Sequence, residues 1–410
     1  MISKITLENF FSFGRPTTIE LNPSVNILVG INGSGKSNFL KAIKLLYEGI
    51  GGEGFRKVFL QDWGGFSSVA NFQEAESPYI RLIYEFDVSK INLTNASNGS
   101  LLKNNLIYEI TIFPTGKTGY YLREKLYKLS ESGEESIYLH IENSKGVIAQ
   151  REVDGKKQAL LVQYPHDNDP ISFDKSELVL SQISDPDRFH AQFVLKRAIE
   201  SISVYDYFDT TLRSPIREPR NWSIENKLLP NGENLTILLQ QLKNKQPLVY
   251  EDIGKQIKDI NPYFKELDFD FYANKIFLVL REKKLSQSVS ISHISDGTLR
   301  YLLLLAIFFN KNRGSLVCLD EPEIGLHPDM IFSLANFLKR AAKESQIIVA
   351  THSPLLLNDF NIEDLLIFEK NEDNQTIVLS KDEEDFEEWL DKNFTVGQLW
   401  VNGLIGGKRW

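Results

Sequence analysis

Apolar side chains near the start of the chain follow the spacings of two strands, a buried strand and a helix. Residues 2–7 and 17–21 alternate between apolar and polar, as half-buried strands do. Residues 25–29 form an almost continuous apolar run, and the apolar positions of residues 39–46 then follow the period of a helix. The pattern predicts two short strands, followed by a buried strand that leads through residues 30–37 into a helix.

The middle of the chain has the pattern of a β-rich region followed by helices and a hairpin. Four β-rich segments separated by polar turns predict an antiparallel sheet. They are residues 79–88, 105–113, 119–129 and 136–142. Helical spacing predicts helices at residues 188–202, 234–243 and 250–260. Two strand-like runs follow at residues 267–272 and 275–281.

Strands and helices alternate in the last third of the chain. The apolar positions predict a helix, a strand, a second helix and a second strand at residues 299–309, 316–319, 331–342 and 346–350. Alternation of this kind builds a parallel sheet. We therefore expect an α/β protein in which a mixed central sheet is joined by an antiparallel β subdomain and by a helical, α+β insert.

Composition is that of a globular protein without a membrane span. Of the 410 residues, 42% are hydrophobic and 25% are charged, which is ordinary for globular domains. No apolar run reaches about 18 residues, and the first ten residues lack the features of a signal peptide, so we expect a cytoplasmic protein. The single cysteine, Cys318, cannot form an internal disulfide.

Negative charge is concentrated in one segment. The net charge is −9, and residues 361–391 hold twelve acids against two lysines, which leaves the rest of the chain close to neutral. Bulk charge therefore neither supports nor excludes DNA as a partner. We interpret the acidic segment as a solvated face, with a docking surface as the alternative.

Residues 30–37 have the sequence Gly-Ile-Asn-Gly-Ser-Gly-Lys-Ser. They fit the phosphate-binding pattern GxxxxGK followed by Ser or Thr, in its strand, loop and helix context. The glycines let backbone N–H groups turn towards a phosphate, Lys36 can reach the β- and γ-phosphates, and the Ser37 hydroxyl can bind Mg²⁺. ATP and Mg²⁺ are the expected ligands. The predicted nucleotide-binding residues are Gly30, Asn32, Gly33, Ser34, Gly35, Lys36, Ser37 and Asn38.

Two later strands end in side chains suited to phosphate chemistry. Residues 316–319 deliver Asp320 and Glu321 to the carboxyl edge of the sheet, where ligands of α/β sheets bind. Asp320 can hold Mg²⁺ together with Ser37, and Glu321 can polarise the water that attacks the γ-phosphate. The next strand leads to His352, which can hydrogen-bond the γ-phosphate or that water. In isolation this histidine would be structural, but downstream of the two acids we interpret it as catalytic.

Residues 295–298, Ser-Asp-Gly-Thr, open the helix at residues 299–309 and predict a second anion site. The order of these motifs, together with the opening at residues 5–14 and Gly-Leu-His-Pro at residues 325–328, resembles the ABC-type ATPase heads of the SMC and RecF-like group. The signature is most similar to that of bacterial AAA15/AAA21-type ATPases, which are OLD-like but lack the nuclease domain. The resemblance implies a P-loop ABC-type ATPase head.

The resemblance also implies roles for the motif residues. Glu321 would be the general base and His352 the switch histidine, with Lys36 on the phosphates. The signature residues that would meet the γ-phosphate of an ATP held by a second chain are Ser295, Asp296 and Gly297. One P-loop and one signature per chain then imply a head-to-tail homodimer around two ATP molecules.

A glutamine at the end of a strand is expected to complete the Mg²⁺ site in this group. Gln182 follows a strand-like run at residues 178–182, and we prefer it to Gln61 and Gln73. The same resemblance divides the head into three regions, which are a P-loop lobe with the β subdomain at residues 1–187, an insert at residues 188–290, and a signature and switch-histidine lobe at residues 291–410.

The resemblance implies an ATP-hydrolysing switch that dimerises on ATP and controls a separately encoded protein effector or DNA, as stand-alone ATPases of this kind do in bacterial anti-phage defence. The alternative is a DNA-repair clamp or loader component that binds DNA ends or gaps. The motor domain of a membrane transporter fits less well, because no span is present. An intrinsic nuclease is disfavoured, because only 58 residues follow His352.

Two segments outside the motifs allow more than one interpretation. Residues 211–227 carry Trp222 among four cations, which are Arg213, Arg217, Arg220 and Lys227. They form either a nucleic-acid-binding surface or a solvated connector. The apolar tail at residues 397–410 is expected to dock on the head or on a partner.

Overall fold

The structure, a computed structural model, describes residues 1–71, 79–87, 89, 105–116, 119–143, 145–150, 159–162 and 173–406. Gln73, residue 88 at the end of a predicted strand, and the last four residues of the predicted docking tail lie outside the described residues.

The strands are β1 (Ile2–Glu8), β2 (Thr17–Glu20), β3 (Val25–Gly30), β4 (Ile80–Phe86), β5 (Leu106–Thr115), β6 (Gly119–Leu129), β7 (Glu135–Glu142), β8 (Lys145–Ala149), β9 (Ala159–Val162), β10 (Ile202–Tyr205), β11 (Arg220–Asn221), β12 (Phe264–Tyr272), β13 (Lys275–Glu282), β14 (Val289–Ser290), β15 (Leu316–Asp320), β16 (Gln346–Ala350), β17 (Leu365–Lys370) and β18 (Thr376–Leu379). The α-helices are α1 (Lys36–Gly51), α2 (Phe66–Val69), α3 (Val179–Gln182), α4 (His190–Glu200), α5 (Leu235–Lys245), α6 (Pro247–Ile260), α7 (Asp296–Phe309), α8 (Pro328–Ala341), α9 (Pro354–Leu357), α10 (Glu387–Asp391) and α11 (Val396–Val401).

The core sheet contains strands from the beginning, middle and end of the chain. Its order is β10-β15-β16-β3-β17-β18, in which β18 is antiparallel and the other neighbours are parallel. A second, antiparallel sheet has the order β2-β1-β4-β5-β6-β7-β8-β9. A small sheet pairs β13 with β11, β12 and β14. The carboxyl edge of the core sheet is therefore assembled from residues far apart in sequence.

The inner strands of the core sheet are covered on both faces. Every residue of β3 and β16 is buried, which explains why these strands are apolar runs without alternation. Ile27 of β3 packs in the cluster that includes α7 and α8, and its neighbour Leu28 packs in the cluster that includes α1 and the antiparallel sheet. The core sheet therefore separates the two hydrophobic cores.

The antiparallel sheet braces α1. Along β4, buried and half-buried residues alternate without exception, as expected for a sheet with one covered face. The buried Tyr84 of this strand donates its hydroxyl to the Ala42 carbonyl oxygen in α1 at 2.7 Å. The predicted mixed α/β fold with an antiparallel subdomain is thus confirmed.

One local prediction is wrong, and one predicted helix is shorter than expected. Residues 178–182 do not form a strand, because the Glu124 carboxylate on β6 accepts hydrogen bonds from the backbone N–H groups of Val179 and Leu180 at 2.6 and 3.2 Å and thereby caps the short helix α3. The helix predicted at residues 188–202 is confirmed as α4, but it ends at Glu200, and β10, the edge strand of the core sheet, begins at Ile202.

The acidic segment is only partly a solvated face. The strand β17 lies within it and pairs with β3 inside the core sheet, with its first four residues buried.

Further along the chain, α11 docks on α9. The Gly397 N–H donates to Asn358 Oδ1 at 2.9 Å, and a Cβ at position 397 would lie 2.1 Å from the Pro354 carbonyl oxygen. Through residue 406 the C-terminal segment therefore docks on the head.

Candidate functional site

The phosphate loop is shaped by contacts with residues far away in the sequence. Gly35 has φ +113°, and a Cβ there would lie 2.3 Å from Thr376 Oγ1 and 2.8 Å from Ser12 Oγ. The Thr376 hydroxyl also donates to the Ser34 carbonyl oxygen at 2.7 Å, and Asn38 Nδ2 donates to Ser12 Oγ at 2.9 Å. Only glycine therefore fits at position 35. The predicted binding residue Asn38 supports the loop through its hydrogen bond with Ser12.

Lys36 lies inside the concave side of this loop. Its Nζ donates to the carbonyl oxygens of Gly30 and Ile31 at 2.8 and 3.2 Å. Burial lowers the pKa of Lys36 to about 8, against the opposing effect of the Asp320 and Glu321 carboxylates. The amine is therefore still mostly protonated at pH 7, and a phosphate oxygen placed here would favour its charged form.

Asp320 and Ser37 share one cavity at the carboxyl edge of the core sheet. The cavity measures about 310 Å³ and is lined by Ser37, Tyr205, Asp206, Tyr207, Phe208, Arg300, Leu304, Leu319, Asp320, Glu321, Pro322 and Ile324. Burial raises the pKa of Asp320, and a hydrogen bond with the Ser37 hydroxyl opposes the rise. Hydroxyl and carboxylate oxygens suit Mg²⁺, which typically takes one or two protein ligands and completes its shell with phosphates and water.

Glu321 is held in a backbone conformation that is rare for glutamate. Its φ is +47°, a left-handed value that side chains with a Cβ seldom adopt and that is enriched at functional sites. Its N–H donates to the Ala350 carbonyl oxygen at 2.9 Å, and its Oε1 lies 3.4 Å from His352 Nε2. Burial and then Lys36 lower the pKa of His352, while Glu321 opposes them. A neutral imidazole therefore faces the carboxylate at pH 7.

Glu323, which sequence reasoning missed, joins the loops that carry Glu321 and His352. Its Oε1 accepts from Thr351 Oγ1 at 2.5 Å and from the backbone N–H of His352 at 3.1 Å. Burial raises the pKa of Glu323, and these hydrogen bonds oppose the rise. The side chain fixes the position of the histidine through its backbone.

The signature lies at the N-terminus of α7. The Ser295 hydroxyl accepts from the Thr298 N–H at 3.2 Å, so the residue caps the helix. Ser295 and Asp296 are exposed and do not line the cavity of their own chain. A Cβ on Gly297 would lie 2.8 Å from the Gly325 carbonyl oxygen. Glycine is therefore needed here because the loop after Glu321 approaches so closely.

Arg217 anchors the signature from a different part of the chain. This side chain is buried, and its guanidinium donates to the carbonyl oxygens of Thr210, Ile291 and Ile294 at 2.7–2.9 Å. It also donates to Asp296 Oδ1 at 2.6 Å. Sequence reasoning placed Arg217 in a basic segment but could not identify this partner, because 79 residues separate the two side chains.

Gln182 does not line the cavity that Ser37 and Asp320 share. Its side chain bonds the backbone of Asp174 in the preceding loop, through Oε1 at 2.7 Å and Nε2 at 3.1 Å. The neighbouring Leu178 packs against Gly49, twelve residues beyond Ser37 on α1, which corresponds to about 18 Å along the helix axis. The prediction is wrong because it relied on a strand that does not form. The alternative Gln61 lies in a helical segment, Lys57–Asp62, after α1.

Comparisons with known proteins identify sequences and structures that are similar to this chain. A family model described as "AAA domain, putative AbiEii toxin, Type IV TA system" matches residues 25–358. Over 402 residues the chain is 24% identical to "Retron Ec83 probable ATPase" of Escherichia coli, which covers 90% of this chain and 72% of that protein. A 77-residue segment is 36% identical to "Chromosome partition protein Smc" of Mycobacterium tuberculosis and of Mycolicibacterium paratuberculosis. That segment is 18% of this chain and spans only 6% of the length of those relatives.

Solved structures of SMC heads share the fold. A head bound to the C-winged helix domain of ScpA has a TM-score of 0.54 at 14% identity, covering 93% of this chain and 98% of that one. A head with an extended coiled coil, bound to the C-terminal domain of ScpA from Pyrococcus furiosus, has a TM-score of 0.52 at 14% identity, covering 96% and 99%. Among the described residues, no helix is both long and apolar enough to cross a membrane.

Proposed function

Because the chain belongs to the AAA_21 family of AAA-domain proteins, we propose that it is an ATP-hydrolysing switch whose copies pair around ATP. The observation that carries the proposal is the strained Glu321 facing His352 at 3.4 Å, beside a loop that holds Lys36. A carboxylate kept in a left-handed backbone conformation next to a phosphate loop has a clear chemical use, which is to take a proton from an attacking water.

The residues act in the following way in this proposal. Backbone N–H groups of residues 33–36 and Lys36 Nζ bind the β- and γ-phosphates of ATP. Ser37 and Asp320 would hold Mg²⁺, which would neutralise charge on those phosphates. Glu321 accepts the proton of the water that attacks the γ-phosphate, and His352 orients the Glu321 carboxylate. ADP and phosphate are released.

The position of the signature supports the pairing of two copies. Ser295 and Asp296 are exposed and lie outside the cavity of their own chain, although Ser295 caps a helix whose N-terminus favours anions. In the proposed homodimer this helix end meets the γ-phosphate of the ATP bound by the other copy. ATP binding would join the heads, and hydrolysis would release them.

The test replaces Glu321 with Gln. The variant should bind Mg-ATP, lose hydrolysis by at least about 100-fold, and double in mass by light scattering when ATP is present. Lys36→Ala is the matched control, which should bind no ATP and stay monomeric. Wild-type hydrolysis by Glu321→Gln would contradict the catalytic assignment. A monomeric Glu321→Gln protein in saturating Mg-ATP would contradict the pairing.

We further propose that the switch acts on a separately encoded protein effector in anti-phage defence, a role supported by similarity to the retron ATPase. The basic segment does not favour DNA as the partner. Lys227 donates to the Ile202 carbonyl oxygen at 2.6 Å, Arg220 pairs with Glu233 at 2.9 Å, and Arg217 is committed to the signature. Three of its four cations thus have internal partners.

A further inference from the structure

A second carboxylate, Asp206, lies beside the proposed Mg²⁺ site on the neighbouring strand. β10 and β15 run parallel, and Tyr205 pairs with Leu319, so that Asp206 and Asp320 each follow this last pair. Neighbouring strands lie about 4.8 Å apart. The two acids therefore stand side by side at the same edge of the core sheet.

Both carboxylates lie on the α1 side of the sheet. Val204 and Cys318, two residues before them, belong to the hydrophobic cluster that includes α1, and side chains two residues apart in a strand share a face. Lys44 Nζ on α1 donates to Asp206 Oδ2. Lys44 follows Ser37 by seven residues, which is about two helical turns, so Asp206 and Ser37 lie along one side of α1.

Asp206 keeps an acceptor that faces water. Its side chain is 45% exposed and lines the same cavity as Ser37 and Asp320. Lys44 bonds Oδ2, and no donor among the described residues bonds Oδ1. Since a water molecule takes about 30 Å³, the cavity of about 310 Å³ has room for several waters between these side chains.

We propose that Asp206 binds water molecules of the Mg²⁺ hydration shell and so strengthens metal binding at the ATP site. The inference rests on the ATPase function proposed above. Mg²⁺ dehydrates reluctantly and keeps several waters, and those waters need acceptors. In this proposal Asp206 contacts the metal through water and is therefore a positioning residue.

The competing explanation is that Asp206 only ties α1 to β10 through Lys44. Two variants of the full chain separate the explanations, because Asp206→Asn and Lys44→Met both break the ion pair but only the first removes the carboxylate. A fluorescent, non-hydrolysable ATP analogue is bound to each protein, first in EDTA and then during a titration with MgCl₂. The measured quantity is the Mg²⁺ concentration that gives half of the metal-dependent fluorescence change.

Asp206→Asn should raise this Mg²⁺ concentration about tenfold or more and leave analogue binding in EDTA unchanged. Lys44→Met should leave the Mg²⁺ concentration for half of the fluorescence change unchanged or lower it, because the variant lacks a cation that repels Mg²⁺. An unchanged Mg²⁺ requirement in Asp206→Asn, or equal increases in both variants, would overturn the proposal. Thermal melting checks folding, and Asp206→Ser is the second variant if Asp206→Asn melts early. Failure of the wild-type protein to bind the analogue at all would instead refute the proposed function.

Discussion

The phosphate-loop half of the site, residues 30–38, and the signature half, residues 294–300, are built in different ways. The first half is one continuous segment whose own glycines and lysine form the binding surface, and Thr376 closes it from behind. The second half is a helix end that depends on Arg217 and on the loop at Gly325 for its position. A loop that carries its own chemistry is therefore combined with a surface whose placement depends on distant residues.

This difference predicts how each half fails. Damage to the phosphate-loop half should remove ATP binding and leave the fold intact, because the loop lies at the edge of a sheet that is buried on both faces. Damage to the signature half should leave ATP bound to single chains but prevent pairing and hydrolysis.

The largest effect is expected for Arg217→Met. The change leaves three buried carbonyl oxygens without their guanidinium donors, which should destabilise the protein by about 1–3 kcal/mol for each unpaired oxygen. Urea unfolding measures this loss. At temperatures where the variant stays folded, ATP binding should be retained, while light scattering should show no ATP-dependent pairing. Arg213→Met is the matched control, because Arg213 is exposed, and it should change stability by less than about 0.5 kcal/mol. Normal pairing by Arg217→Met would show that the signature does not need this anchor.

The second effect tests the phosphate-loop half. Gly35→Ala adds a Cβ that would lie 2.3 Å from Thr376 Oγ1, in a backbone conformation with φ +113°. ATP affinity should fall at least about 100-fold, which corresponds to about 2.7 kcal/mol. Gly33→Ala is the comparison, because φ is +78° but nothing lies within 4 Å of the added Cβ, so only backbone strain of about 1–2 kcal/mol is expected. Equal losses in a fluorescence titration with ATP would show that the contact with Thr376 is not what requires glycine at position 35.

The same difference explains what the sequence could predict. The phosphate loop, Asp320, Glu321 and His352 were identified because each follows a buried strand within a few residues, so local pattern and chemistry coincide. Thr376 was missed because it meets Ser34 across 342 residues of sequence.

The misplaced element was a consequence of long-range capping. The run at residues 178–182 is apolar and short, and a pattern of that kind does not distinguish a strand from a helix. The Glu124 carboxylate, 55 residues earlier, favours the helix because it accepts hydrogen bonds from two of the helix N–H groups. Because the prediction of Gln182 as a Mg²⁺ ligand depends on that strand, one wrong element places the predicted ligand at the wrong end of α1. The edge strand β10, which brings Asp206 to the cavity, is four residues long and follows a helical pattern, so the apolar spacing did not reveal this strand either.

The smallest effect concerns this capping carboxylate and should leave the ATP site unchanged. Burial raises the pKa of Glu124 from 4.5 to about 7, while the hydrogen bonds from Tyr108, Val179 and Leu180 lower it. Because the pKa is higher in the folded protein than in the unfolded chain, the stabilisation from Glu124 protonation is complete below about pH 4.5 and is lost as the pH rises through about 7. Relative to Glu124→Gln, the wild-type protein should therefore lose roughly 1–2 kcal/mol of unfolding free energy between pH 5.5 and pH 8. Urea unfolding of both proteins at the two pH values measures this difference. ATP affinity at pH 8 should be the same in both, and a drop in Glu124→Gln would show that α3 and Gln182 do communicate with the phosphate loop.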